Sequence, residues 1–286
     1  MLQIPQKLKG AKPMKITKKM LGLKKSPRDN RDFLLSSVLG VDALPEEVDR
    51  TKEMTPVRNQ GDEGACAGFA TVSVKEYQEQ KDYSRLITLS PRYVYEYAKK
   101  ISGHKEGTTI SAAMIILRSC GICEERFWPY VSNDVGKCQK GIETNARKYK
   151  IKAYWRIRNI EELKGAIAKD EIGVAEIGVK VYSGMMSEEC RRTGIVPDPT
   201  CWERGQSRGG HALTACSFQN NSPYFDDGHI KVKNSWGKAF GDEGYLYLSY
   251  NYIRNNMLDS YGCLDINDPD KYRIEKLGDK PEWEKK

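Results

Sequence analysis

Near residue 130 the spacing of apolar residues changes from a helical period to a period of two, and this switch constrains the fold more than any other feature of the chain. Before it, Ile110, Ala113, Met114 and Leu117 share one helical face, closed by Gly121. Ser90-Pro91 supplies an N-cap and a first-turn proline for another helix through Tyr93, Tyr97 and Ile101. After it, Tyr149, Ile151, Ala153, Trp155 and Ile157 alternate with Lys148, Lys150, Lys152, Tyr154 and Arg156, a half-buried strand. One helix follows, where Asn159 caps and Glu162 completes a capping box. Strand-like runs then recur at 172–179, 211–218, 229–233 and 244–250. Helices early and strands late specify an α+β chain of two lobes, with the groove between them as the place for chemistry.

At 286 residues the chain is long enough to bury a sizeable core. A mean hydropathy of −0.66 and 30% charged residues exclude a polytopic membrane protein, and no stretch reaches the roughly 20 apolar residues of a transmembrane segment. The net charge of +8 is unevenly placed. Residues 1–31 hold eight Lys and two Arg against Asp29 alone, which leaves the remainder nearly neutral. The basicity therefore belongs to an N-terminal arm, and no specific nucleic-acid partner is expected of the body. The arm lacks the continuous apolar core of a secretory signal, so synthesis in the cytoplasm is expected.

Eight cysteines are too few for a small disulfide scaffold. Cys120 and Cys123 form a lone Cys-x2-Cys, and Cys138, Cys190 and Cys201 do not supply the second pair that a structural zinc site needs. No cofactor or metal is expected. There are three histidines. His104 lies in a polar loop, His229 opens a strand after Asp226-Asp227-Gly228, and His211 follows Gly209-Gly210.

The segment Pro56-Val57-Arg58-Asn59-Gln60-Gly61-Asp62-Glu63-Gly64-Ala65-Cys66-Ala67-Gly68-Phe69-Ala70 changes the weight of these residues. A cysteine opening a helix that runs to about Gln80 sits at the positive end of the helix dipole. With a neighbouring imidazolium, such a position lowers a thiol pKa from 8.5 to roughly 3.5–7.5. Small neighbours leave room for a substrate carbonyl. The Gln60 amide and the Cys66 backbone N–H can meet a developing oxyanion.

These residues resemble the nucleophile segment of the papain-like cysteine peptidases. The resemblance extends to Leu44–Asp49, Leu89-Ser90-Pro91, Glu106-Gly107-Thr108, Trp128-Pro129-Tyr130, Gly209-Gly210-His211-Ala212, Lys233-Asn234-Ser235-Trp236-Gly237 and Gly241–Tyr245. His211 stands 145 residues after Cys66, in the family's order. The resemblance implies a helical left lobe, an antiparallel β-barrel-like right lobe, and an active site in the groove between them. It assigns Cys66 as nucleophile, His211 as base and acid, Asn234 as orienter of the imidazole and Gln60 as oxyanion donor. Trp236 would shield the Asn–His bond and border the substrate. Gly107 and Gly210 would pair with substrate backbone, with Thr108, Thr109, Ile177 and Ala212 near the second subsite.

The activity so implied is a cysteine endopeptidase acting on peptides or proteins through a Cys66 acyl-enzyme. An acyl transferase or ligase on the same site, or a non-catalytic binding protein of the same fold, are the alternatives. Glu63 stands where secreted members often have a half-cystine, and Ala67 where an aromatic is usual. By the same resemblance Cys201 and Cys263 are a candidate disulfide. The domain is expected over 43–265, with a charged tail over 266–286 and residues 1–42 in the place of a propeptide. That arm is either a latch docked electrostatically over the groove, against acids such as Glu63 and Glu106, or a basic tail.

Overall fold

The computed structural model describes residues 16–28 and 43–265. The expected tail at 266–286 and the rest of the arm lie outside the described residues. Within 16–28 there is one short strand, β1 (Leu23–Lys24). The body begins with β2 (Glu47–Asp49) and then turns into the long helix α1 (Cys66–Tyr83). Helices α2 (Pro91–Ser102) and α3 (Ile110–Ser119) pack with it, joined through β3 (Thr108–Thr109). Ser90 and Thr109 each accept a backbone N–H at these helix starts, from Tyr93 and Ala112. Such caps satisfy donors that the first helical turn leaves open.

The second lobe is a sheet. Its strands are β4 (Ile151–Arg156), β5 (Ala175–Val181), β6 (Ile195–Val196), β7 (Gly209–Gln219), β8 (His229–Lys233), β9 (Tyr245–Ser249) and β10 (Met257–Asp265), in the order β4-β10-β5-β7-β8-β9-β6. The pairings along this path are antiparallel except β6 with β9. The run at 219–228 is the hairpin between β7 and β8. Two sequence expectations are corrected here. Tyr250 does not end a strand; it opens a helix (Tyr250–Asn256) whose N-cap is Ser249. Asn159 does cap the helix Ile160–Ala168, but the Glu162 carboxylate reaches past it to the Arg158 N–H at 2.8 Å and pairs with that arginine's side chain.

Among the described residues two large hydrophobic cores result, with a small cluster of Ala65, Phe69 and Tyr95 beside them. One lies among α1, α2 and α3 and includes Val72, Tyr77, Val94, Ile110 and Met114. The other is built on the sheet from Ile177, Val179, Leu213, Phe218, Val232 and Leu246. The arm joins both: Met20 and Leu21 belong to the sheet core and Leu23 to the helical core. Apolar side chains buried on the two sides of the groove hold this segment. The expected electrostatic anchor at Glu63 is not available, because that carboxylate is engaged by Arg92.

The expected Cys201–Cys263 disulfide is also absent. Both thiols are free, Cys201 exposed and Cys263 buried against the Gln78 amide. Among the described residues no helix is long and apolar enough to cross a membrane.

Between α1 and β5 a carboxyl is fully buried. Glu176 Oε2 accepts from Thr71 Oγ1 at 2.7 Å, and Oε1 has no partner among the described residues. Burial, helped by the charge of Asp259 and opposed by the Thr71 bond, holds its pKa well above the usual range. The folded state therefore favours the neutral acid. Stability from this group is full below the unfolded carboxyl pKa and is lost as pH rises toward the folded value. Glu176→Gln keeps the shape without the charge. Thermal unfolding should find the two proteins similar near pH 4 and the variant increasingly the more stable toward pH 8. A constant difference across that range would remove Glu176 as the cause.

Candidate active site

Cys66 opens α1, and the N-cap is Ala65, which offers no side-chain bond. The first amides of the helix are thus left for the groove. Facing it, β7 carries His211, which lies opposite Val179 of β5. Asn234 follows β8 directly. Its Oδ1 accepts the Ser235 backbone N–H at 2.7 Å and lies 2.8 Å from His211 Nε2. An atom that accepts a backbone N–H is an oxygen, so Nε2 must carry the imidazole proton. Nδ1, which has no partner among the described residues, keeps its lone pair. Trp236 stacks on the imidazole, with ring centroids 4.4 Å apart, and Phe240 packs edge-on behind it. With the arm in place Trp236 is 2% exposed and covers the imidazole.

Gln60 is held at both ends of its amide. Oε1 accepts from Ser235 Oγ at 2.6 Å, while Nε2 donates to the Glu63 carbonyl at 2.7 Å and to the Met20 carbonyl at 3.0 Å. Ser235 was not among the residues picked from sequence. Its position beside Asn234 is the signal that was there to read.

The groove is filled. β1 pairs parallel with β3 and antiparallel with β7, matching Leu23 to Thr108 on one side and Gly210 on the other. The Thr108 N–H donates to the Gly22 carbonyl at 3.1 Å. Gly22 crosses where two glycines make room: a Cβ on it would sit 2.2 Å from the Gly64 carbonyl oxygen, and one on Gly107 would sit 1.9 Å from the Gly22 oxygen. Further along, Thr17 hydrogen-bonds Asp62, Lys19 Nζ reaches Asn133 Oδ1 at 2.5 Å, and the Ser26 N–H donates to Asp259 at 3.1 Å. Gly210 thus lines the occupied groove, and Thr108, which the resemblance put near the second subsite, meets the arm through its backbone. The Gly107 N–H is instead taken by the Tyr95 hydroxyl at 3.1 Å. Thr109 pairs with Lys24 of the arm, and Ala212 and Ile177 are buried beneath.

Under this cover the expected thiolate–imidazolium pair is not favoured. Burial pushes the Cys66 thiol up to about 11, against backbone hydrogen bonds from Ala212, Gly22 and Ala67. Burial likewise takes His211 down to about 4, against its bond to Asn234. Near neutrality both groups are uncharged, because neither charge has solvent around it.

The other two histidines stand apart. His104 is exposed in its loop, and His229 bonds Ser222 Oγ through Nδ1 at 2.7 Å beside Tyr224 and Tyr247. Among the described residues no group of three His, Cys, Asp or Glu side chains is placed to hold a metal ion.

Comparisons with known proteins give the family and the fold. The family model described as "Papain family cysteine protease" matches residues 44–263. Mouse (Mus musculus) cathepsin K is 27% identical over 244 residues, spanning 84% of this chain and 70% of that protein. Bovine (Bos taurus) cathepsin S is 28% identical over 215 residues, 73% of this chain and 61% of that protein. Among solved structures, xylellain, a cysteine protease from Xylella fastidiosa, superposes with a TM-score of 0.76 at 25% identity, covering 90% of this chain and all of that one. The digestive procathepsin L 3 of Tenebrio molitor larval midgut shares the fold, with a TM-score of 0.68 at 18% identity over 86% of this chain and 77% of that one.

Proposed function

Because the chain belongs to the papain family of cysteine proteases, we propose that it hydrolyses peptide bonds through a thioester on Cys66, and that residues 16–28 hold it dormant until they leave the groove. The observation that carries this reading is the Gln60 amide, aimed into the groove and already holding a carbonyl oxygen, that of Met20.

With the groove open, the Cys66 proton passes to His211 Nδ1 and the resulting thiolate attacks the substrate carbonyl carbon. Water then reaches both groups, and the penalty that keeps them neutral falls away. The carbonyl oxygen gains negative charge as the tetrahedral intermediate forms. Gln60 Nε2–H and the Cys66 backbone N–H meet that charge, at the positive end of α1. As the intermediate collapses, the C–N bond breaks and His211 Nδ1–H protonates the leaving amine. A water then gives its proton to Nδ1 and attacks the thioester, releasing the acid and restoring the thiol. Asn234, kept dry under Trp236, fixes the imidazole plane throughout.

The arm fills the same positions without being a substrate. The sulfur meets an N–H, that of Gly22, while the amide of Gln60 holds a carbonyl two residues earlier. Thr108 and Gly210 accept the arm by the backbone pairing that an extended substrate would use.

Cleavage profiling on a peptide library, with Cys66→Ala as the blank, tests the activity. Internal cleavages that vanish in the blank are expected. Products formed only when an added amine is present would make the protein a transferase instead.

A further inference from the structure

We infer that the buried ion pair between Glu63 and Arg92 is a positioning device for catalysis: it fixes the loop 60–63 to helix α2, so that Gln60 presents its amide N–H to the oxyanion. The inference rests on the role given above to Gln60 and adds two residues to it, neither of which touches substrate.

The pair is bidentate. Arg92 Nη1 and Nη2 lie 2.7 Å from Glu63 Oε1 and Oε2 respectively, and the arginine side chain is fully buried. Two parallel charge-assisted bonds fix direction as well as distance. Each partner is then pinned again. Arg92 also donates to the Val131 carbonyl at 2.6 Å and to Glu96 at 3.0 Å, and its guanidinium lies over the Tyr130 ring. Glu63 Oε2 accepts the Asn133 N–H at 2.9 Å. The Tyr130 hydroxyl stands 2.8 Å from the Gln60 carbonyl and 3.0 Å from Glu63 Oε2, one proton between two acceptors. Burial alone would raise the Glu63 carboxyl, but the Arg92 bonds, the Asn133 amide and Tyr130 together hold it below its usual range, so it stays charged.

What turns this anchor toward catalysis is the main chain of Glu63. Its carbonyl takes one N–H of the Gln60 amide at 2.7 Å, leaving the other to face the groove, where it now meets Met20. Ser235 Oγ fixes the far side of the same amide. The Gln60 plane is therefore set by two contacts, and one of them is only as firm as the loop that carries Glu63. A buried ion pair is weak evidence of stability, because well-packed apolar groups do as well. Directional placement of a neighbouring amide is what apolar packing would not supply. The sequence resemblance puts a half-cystine at Glu63 in secreted relatives; here a charge pair ties the loop down without oxidation.

The test is a double-mutant cycle in the full-length chain carrying Gly22→Val, with every rate normalised to titrated Cys66. Glu63→Gln, with Gln60 present, should lower kcat by roughly 10–100-fold and leave KM within about twofold. In a Gln60→Ala background the same substitution should cost less than about threefold, because the group it positions is gone. Arg92→Lys keeps the charge and loses the fork, so its kcat should fall between the parent and Glu63→Gln, and it serves the same cycle if Glu63→Gln does not fold. Equal losses in both backgrounds, or an unchanged kcat with Gln60 present, would overturn the inference. If Gln60→Ala alone left kcat unaltered, the oxyanion role of Gln60 would be what fails.

Discussion

Replacing Gly22 with valine in the full-length chain is expected to raise hydrolysis of a small peptide substrate by about 10–100-fold. The arm is an intramolecular occupant, present at an effective concentration that a dilute substrate cannot match. Its hold depends on Gly22 passing between Gly64 and Gly107. A Cβ on Gly22 would stand 2.2 Å from the Gly64 carbonyl oxygen and 2.5 Å from the Gly64 Cα, both backbone atoms that cannot swing aside. Overpacking of this kind costs roughly 1–3 kcal/mol, and each 1.4 kcal/mol is about tenfold in occupancy. Cys66 should change with it. Under the arm, a thiol near 11 is ionised to about one part in 10⁴ at pH 7, and alkylation there should be slow. Once uncovered, the thiol should react readily through mildly acid pH. Lys25→Ala, at an exposed position of the same arm, is the control and should change neither rate. Equal rates for Gly22→Val and the parent would mean that the arm leaves the groove without help, and the dormant state would have to be abandoned.

His211→Ala in the Gly22→Val chain should lower kcat by at least about 10³-fold, because the imidazole serves as base in one half-reaction and acid in the other. The companion substitutions make the result diagnostic. His104 is exposed, and His104→Ala should leave kcat within about twofold. His229 is buried and bonded to Ser222, so His229→Ala should lower thermal stability while kcat per titrated Cys66 holds. A loss at His229 or His104 matching that at His211 would show that the wrong histidine has been assigned as the base.

Helix α2 and the helix Ile160–Ala168 were legible in sequence because their starts are written in local chemistry: Ser90-Pro91 and Asn159 cap where a cap is chemically needed. Strand β10 was not. Its Asp259, Ser260 and Gly262 break the apolar alternation, and the two polar ones are tolerated because each finds a distant partner. Arg156 pairs with Asp259 at 2.9 Å, and Ser260 Oγ donates to the Glu176 carbonyl at 2.9 Å. Such partners are invisible to any window of neighbouring residues. The same holds at the site. Cys66, Gln60, His211 and Asn234 sit in short motifs that can be read directly, whereas Glu63 and Arg92 are ordinary surface-type residues until the fold brings them together. The arm was ambiguous for that reason too. Its charge is conspicuous, but what docks it is the apolar island Met20-Leu21-Gly22-Leu23 between two lysine pairs, and the room for Gly22 comes from glycines elsewhere in the chain.

The placement of β10 bears on the order in which this molecule comes into being. The last described strand lies inside the sheet, hydrogen-bonded to β4 on one side and β5 on the other, and its end is tied to α1 by the buried Lys75–Asp265 pair. Pairings between such distant parts of a chain carry a large loop-closure cost and slow folding. During translation residues 16–28 emerge well before β10, the strand that closes the sheet core. On the function proposed above, the segment that covers the sulfur is therefore tethered nearby before the groove acquires its last wall, and covering the site needs no encounter with a second molecule.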